Sequence, residues 1–355
     1  MSLDGPVLVV GAGLLGTSIA LALRRHDVDV ALRDISVENV RIATVLGAAN
    51  VDADAVHPQL VVVAVPPDHL ADEVVRALTS TDAVVTDVGS VKAAPLAATR
   101  GRVGSAELAR YVGSHPMAGS ERSGPFAASA ALFDGRPWAV APHEDADPAA
   151  VDLVVELARV CGATPVTFRP EEHDQAVART SHLPHLLASL VAGRLTDAPR
   201  EHLALSGQGV RDVTRIAAGD PGLWQQIIVA NTAALTALLH DVRDDVDTLL
   251  TALAGGDRES VAAVLGRGVD GTAVLPGKHG GAAPASTTAY VVVADHPGEL
   301  ARLFADTSDI GVNIEDLRID HDPARDYGLV ELSVATTSVE HLLESLADRG
   351  WTAHR

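Results

Sequence analysis

Short apolar runs punctuate the first 170 residues of the chain. Val7–Val10, Val28–Leu32, Leu60–Val65, Val84–Asp87 and Trp138–Ala141 read as strands. Several are apolar at nearly every position, as strands buried on both faces of a parallel sheet are. Between them, Leu14–Arg25 and Asp68–Leu78 carry apolar residues at helical spacing. This β-α-β-α order predicts a doubly wound α/β domain over residues 1–170. Residues 171–283 lack strand-like alternation. Glu171–Arg194, Gly222–His240 and Val242–Ala254 have helical periodicity, Gly219-Asp220-Pro221-Gly222 is a breaker, and Pro184 should kink the first helix. So many apolar positions in a small all-helical domain predict a face buried against a second copy, hence a homodimer. The glycine-rich stretch Gly266–Gly281 reads as a linker, or as a loop folded back over a site. Residues 284–355 return to mixed structure. Ala289–Ala294, Gly311–Asp320 and Leu329–Ala335 read as strands, and Gly298–Thr307 and Val339–Arg349 as helices. That is a β-α-β-β-α pattern of the ferredoxin-like kind.

Three regions suit a chain of 355 residues, which is too long for one ordinary core. The net charge of −20 argues against nucleic acid or an anionic membrane as partner. No apolar stretch reaches the roughly 18–20 residues that span a bilayer. The opening MSLDGPVLVV has no basic segment before its apolar run, so no secretory signal is expected. Cys161 is the sole cysteine, which excludes an internal disulfide and makes a reducing cytoplasm the expected compartment. An acidic protein must concentrate its cations to hold an anionic substrate. Lys92 and Lys278 are the only lysines, so arginine and backbone N–H groups have to supply most of that binding.

Gly11-Ala12-Gly13-Leu14-Leu15-Gly16 follows the first strand and opens the first helix. The glycines provide a tight turn, a close approach for a pyrophosphate and close helix–strand packing, and the helix N-terminus offers free N–H groups to the phosphates. Asp34 closes the second strand, where an acid hydrogen-bonds a ribose 2′-hydroxyl and repels a 2′-phosphate. The domain is therefore expected to be a Rossmann domain that takes NAD. Neighbouring Arg33 leaves some room for NADP. Leu14, Leu15, Val65, Pro66 and Asp87 complete the expected cofactor contacts.

Ligands in such sheets bind at the carboxyl ends of the strands, where two segments carry chemistry. One is Thr86-Asp87-Val88-Gly89-Ser90-Val91-Lys92; the other runs from Val112 through Ser114, His115 and Pro116 to Glu121. A histidine closing a strand beside a nicotinamide could take a proton from a hydroxyl as hydride leaves its carbon, and Ser90 could share that hydroxyl. A structural His-Pro turn is the alternative.

GAGLLGTSIA, TDVGSVK, GSHPMAGSERSG, SHLPH (Ser181–His185), RDVTRIA (Arg211–Ala217) and then Trp224 occur in this order between Val7 and Gly281. In these motifs the chain resembles the prephenate/arogenate dehydrogenases. The resemblance implies NAD-dependent oxidative decarboxylation of prephenate to 4-hydroxyphenylpyruvate in tyrosine biosynthesis, or of arogenate to tyrosine. It implies that His115 deprotonates the ring hydroxyl and that Ser90 orients it. It further implies that His182 and His185 line the substrate pocket with Ser114 and Trp224. Arg215 would clamp a carboxylate, with Arg211 as a weaker candidate. As alternatives, the two histidines could be packed helix residues, Arg211 and Arg215 could pair with Asp212 or another acid, and Trp224 could be core. No third ligand accompanies the histidine pair, so no metal site is expected. An acid at the amino end of the pocket, Glu121 or Asp212, would favour arogenate. Lys278 and His279 could face the active site, an effector or solvent.

Asp295-His296-Pro297-Gly298-Glu299-Leu300, with Gly311-Val312-Asn313-Ile314, resembles an ACT domain. That resemblance implies an amino-acid effector, with tyrosine the natural candidate. It would be held by His296, Pro297, Gly298 and Asn313, its carboxylate at the start of a helix. A dimerisation module without ligand is the alternative. Two other functions compete. A β-hydroxyacid dehydrogenase relies on a catalytic lysine from its helical region, and none lies between Lys92 and Lys278. A non-enzymatic NAD-binding amino-acid sensor would not need His115, Ser90 or Arg215.

Overall fold

The computed structural model describes residues 2–119, 122–275, 286–321 and 326–355. The chain divides into two compact units, Met1–Arg243 and Asp244–Arg355.

In the first unit, strands β1 (Val7–Val10), β2 (Val30–Arg33), β3 (Leu60–Val63) and β4 (Val84–Asp87) form a parallel sheet in the order β2-β1-β3-β4. Helices α1 (Leu14–Arg24), α2 (Val37–Val45) and α3 (Pro67–Ser80) make the connections. Alternation along each strand divides the apolar residues between two cores. Val7, Val9, Leu60 and Val62 pack with Ile19 and Leu23 of α1. Leu8, Val10, Val61 and Val63 pack with Leu70 and Val74 of α3. Both faces are covered, which is why these strands read as unbroken apolar runs.

Helices α4 (Ala93–Arg100) and α5 (Ser105–Ala109) follow β4 and lead to a second, three-stranded sheet. It consists of β5 (Gly113–Pro116), β6 (Pro137–Ala141) and β7 (Thr164–Thr167), with β5 antiparallel to β6 and β6 parallel to β7. Helix α6 (Pro148–Val160) joins β6 to β7. Val85 and Tyr111 bridge the two sheets. Thus the segment that opens at Val112 is not simply a loop after a strand: Gly113–Pro116 is itself a strand, and His115 sits within it. Its polar residues conceal it, because their partners lie far away in sequence.

The helical region begins with α7 (Pro170–Val177), a π-helical turn at Ala178–His182, and α8 (Leu183–Gly193). Pro184 has no N–H to donate, so the register widens just before it, and the Leu183 N–H reaches back five residues to the Ala178 carbonyl. A π-helical turn stands immediately before Pro184, where a kink is expected. Short helices α9 (Arg200–Leu203) and α10 (Gln208–Arg215) precede α11 (Pro221–Ala230) and α12 (Thr232–Gly255). The Asp220 carboxylate caps α11 by accepting the Leu223 N–H at 2.8 Å. The last two helices meet at Asn231 with a 94° bend. The break falls there and not near Asp241, so Thr232–Gly255 is one continuous helix.

Helix α13 (Arg258–Ala273) occupies much of the segment expected to be a linker. Asp257 caps it through the N–H groups of Glu259 and Ser260, and Gly266, Gly268 and Gly271 are tolerated inside it. Leu265 and Val269 on this helix are exposed, as are Leu250 and Leu253 on α12, and Leu205 and Val229 in the first unit. Among the described residues no single helix is long and apolar enough to cross a membrane.

The second unit ends in β8 (Ser286–Ala294), α14 (Glu299–Ile310), β9 (Ile314–His321), β10 (Tyr327–Ala335), α15 (Val339–Asp348) and β11 (Thr352–His354). The sheet order is β11-β8-β10-β9, all antiparallel, the βαββαβ arrangement called ferredoxin-like. Ala289, Val291, Val293, Val330, Leu332 and Val334 face Leu303 of α14 and Leu342 and Leu346 of α15. The short edge strand β11 adds to the expected pattern.

Candidate active site

The glycine loop between β1 and α1 is tight. Gly11 has φ +106°, and a Cβ there would lie 2.3 Å from the Ala64 carbonyl oxygen. A Cβ on Gly16 would lie 1.9 Å from the Gly11 carbonyl oxygen. Gly13 instead faces open space and is the N-cap of α1 with no side chain closing the helix end. The N–H groups that Leu14 and Leu15 contribute there are free to meet a phosphate. Asp34 follows β2 and accepts the Ala12 N–H at 2.6 Å and the Ser36 N–H at 2.7 Å, which fastens it to the loop. Arg33 points elsewhere, to the Ala53 carbonyl at 3.3 Å and to Asp54 at 3.5 Å. Val65 and Pro66 follow β3, half-buried and exposed respectively, and Ser90 follows β4, half-buried. These expected residues do gather at the carboxyl end of the parallel sheet.

Asp87 and Ser114 face inward instead. Asp87 is fully buried and ion-paired with Lys92, and it accepts the Tyr111 hydroxyl at 2.7 Å and the Gly89 N–H at 2.8 Å. The Ser114 hydroxyl donates to the Asp87 carbonyl at 2.8 Å and lies 3.0 Å from Thr86 Oγ1, also fully buried. Their side chains hold β4 to β5 and leave no group for cofactor or substrate. Lys92 completes this support, its Nζ donating to the Ser114 carbonyl at 2.7 Å. Glycine makes the space: a Cβ on Gly113 would lie 3.0 Å from Lys92 Cδ. Burial lowers the Lys92 pKa, opposed by the Asp87 charge, and burial raises that of Tyr111.

His115, on β5, is buried and begins a chain of hydrogen bonds. Its Nδ1 lies 3.0 Å from His173 Nε2, and His173 Nδ1 lies 2.8 Å from Asp174 Oδ1. Asp174 accepts the Lys92 N–H at 2.7 Å and the Ala93 N–H at 2.9 Å at the start of α4. With both rings neutral, these partners dictate the proton positions. A carboxylate can only accept, so His173 carries its proton on Nδ1 and presents a lone pair at Nε2. His115 must then donate from Nδ1, which leaves its Nε2 as a free base. Burial first, then His173, Lys92 and His182, hold the His115 pKa well below 6.5.

His173 and Asp174 were not singled out from sequence. Glu171-Glu172-His173-Asp174 reads as an ordinary polar first turn, and only the fold brings it against β5.

His182 lies in the π turn. Its Nδ1 is 3.0 Å from Asn231 Nδ2, and its buried Nε2 has no partner. Burial lowers its pKa to about 4. His185 stacks on Trp224 with centroids 3.6 Å apart, and His182 meets the same indole edge-on at 6.2 Å. The His185 Nδ1 is likewise buried and unpartnered. Burial also lowers the His185 pKa. Gly219 permits this stack, since a Cβ there would lie 2.4 Å from Trp224 Nε1. Arg211 and Arg215 are exposed on α10. Asp212 accepts from Gln208 at 3.0 Å, and among the described residues neither arginine pairs with a carboxylate. In the second unit, Gly298 has φ +99° and opens α14 without a side-chain cap, preceded by exposed His296 and Pro297. Asn313 donates to Glu315 at 2.8 Å. Glu121, Lys278 and His279 lie outside the described residues.

Residues 19–167 match the profile of the prephenate dehydrogenase nucleotide-binding domain, and residues 169–267 that of the prephenate dehydrogenase dimerization domain. A probable prephenate dehydrogenase of Streptomyces niveus, NovF, is 36% identical over 98% of this chain and 99% of its own length. The chain belongs to the prephenate dehydrogenase family. The prephenate dehydrogenase of Bacillus subtilis is 29% identical over 88% of this chain and 87% of its own. The crystal structure of the Aquifex aeolicus prephenate dehydrogenase in complex with hydroxyphenyl propionate and NAD+ superposes with TM-score 0.68 and 26% identity, covering 77% of this chain and 98% of that one. Prephenate dehydrogenases are NAD-dependent oxidoreductases, and so is this chain. Its two family segments meet between Thr167 and Arg169, just before His173.

Proposed function

We propose that the chain oxidises and decarboxylates prephenate to 4-hydroxyphenylpyruvate at the site built around His115. The observation that carries this reading is the Asp174–His173–His115 relay, which leaves one unprotonated ring nitrogen on His115. The open cradle at Gly13 and the acid at Asp34 suit NAD, whose nicotinamide accepts a hydride when bound. His115 Nε2 removes the proton of the ring hydroxyl, and Ser90 orients that hydroxyl. Arg215, with Arg211 beside it, binds a carboxylate, while His182, His185 and Trp224 wall the ring. Loss of hydride and CO2 makes the ring aromatic, so the reaction runs strongly forward. Charge balances without net proton release, and the proton taken by His115 returns to the phenolic oxygen of the product. The residues need mainly to position, move one proton and exclude water. The test is NADH formation from prephenate and arogenate supplied side by side. The ratio of kcat/KM values names the substrate, and silence with both, in protein that binds NAD, favours a sensor.

His115 acts as a neutral base, and its pKa is held well below 6.5. Protonation therefore abolishes activity only in acid. The kcat/KM for hydride transfer should stay flat around pH 7 and through pH 6.5, and fall only at pH well below 6.5. An acid limb centred at pH 6.5 or above would remove this assignment.

The helical region forms a homodimer: it carries exposed Leu205, Val229, Leu250 and Leu265, and its profile is that of a dimerization domain. The βαββαβ region is an ACT domain that binds tyrosine at Gly298 and Asn313. Added tyrosine should slow the full chain, and Asn313→Ala should relieve that inhibition at least severalfold. Equal inhibition of the variant would exclude Asn313 from the receptor.

A further inference from the structure

Asn231 stands, buried, at the 94° junction of α11 and α12. Its amide nitrogen lies 2.8 Å from the Asp174 backbone oxygen and 3.0 Å from His182 Nδ1. The carbonyl oxygen of Asp174 can only accept, so the nitrogen end of the amide, and not its oxygen, must face this pair. The second amide hydrogen then points at His182 Nδ1, which has to carry a lone pair. The proton of neutral His182 is thereby placed on Nε2, an atom that is buried and has no partner. A buried donor left unsatisfied is costly. This one belongs to a ring that lies edge-on to Trp224.

We propose that Asn231 is a positioning residue that fixes His182 as an Nε2–H donor to an oxygen of the bound substrate. The inference rests on the site reading above for the identity of that substrate. The same amide anchors the relay from behind, since Asp174 is held through its backbone oxygen as well as its carboxylate.

The test uses the full chain labelled with 15N-histidine, with His182 assigned by the loss of its signal in His182→Gln. Long-range 1H–15N correlation should show Nδ1 bare and Nε2 protonated. A protonated Nδ1 in the unaltered protein would overturn the proposal. Titration with hydroxyphenylpropionate in the presence of NAD should shift the Nε2–H proton, and an unmoved signal at saturation would overturn it as well. Two variants separate positioning from support. Asn231→Leu and Asn231→Asp both lose the bond to the Asp174 oxygen, but only the aspartate demands a proton at His182 Nδ1. The tautomer should invert in Asn231→Asp, with kcat/KM falling about 100-fold, against about 10-fold in Asn231→Leu. Equal losses with an unchanged tautomer would overturn the proposal. If Asn231→Asp does not fold, the spectrum and titration of the unaltered protein decide. Neither depends on turnover, so an inert enzyme with a correctly shifted Nε2–H would defeat the substrate reading and leave Asn231 in its role.

Discussion

Replacing His115 with alanine should lower kcat by about 10²–10⁴-fold, the usual contribution of a positioned general base, while NAD affinity changes little. The separation follows from where the parts lie. The cofactor cradle is made by Gly11–Gly16 and Asp34 at the ends of β1 and β2, fastened by the bond from the Ala12 N–H to Asp34. His115 belongs to β5, in the other sheet, and its bond partner is His173. Alanine at this position removes the free Nε2 without touching the loop. Steady-state rates, together with NAD titration by fluorescence, check both halves. A variant with near-normal rates would remove His115 from the chemistry, and one that no longer binds NAD would show that the two parts are coupled.

The second large effect concerns stability. Lys92→Met should destabilise the protein by about 3–5 kcal/mol, because it strands a buried carboxylate whose counter-ion it removes. Asp87 keeps the Tyr111 hydroxyl and the Gly89 N–H, which places the loss toward the lower end. In a unit of this size that corresponds to a Tm lower by roughly 6–12 °C. The double variant Lys92→Met with Asp87→Asn should recover more than half of the loss, since no charge is then left unpaired. Calorimetry on the three proteins is the measurement. A single variant melting within about 1 °C of the parent would mean that the pair contributes little net stability, as some buried ion pairs do.

Features carried by local pattern were legible in the amino-acid sequence. Val7–Val10 and Val84–Asp87 have the bounds expected of them, and the glycine loop and Asp34 meet as their spacing implied. What escaped depends on distant partners. Gly113–Pro116 looks like a loop until Ala139 and Val140 pair with it. His173 and Asp174 look like a solvated helix start until His115 arrives. Asp87 and Ser114 occupy motif positions that suggest ligand contact, but alternation along a strand turns their side chains inward. Direction along a strand is a property of register, and the motif alone does not carry it. The break at Asn231 lies inside an apolar helical run, with no glycine or proline to mark it.

The relay also bears on how far this enzyme can be divided. His115 comes from the nucleotide-binding segment, whereas His173 and Asp174 come from the segment after residue 169. Asp174 in turn takes its N–H groups from Lys92 and Ala93, back in the first segment. Cofactor binding could be inherited as a module, because every part of its cradle lies before the seam. The base is not portable in that way. Recombination at Phe168 with a foreign helical half would carry His115 across unchanged yet leave its tautomer unset, so the two halves must be exchanged as matched pairs.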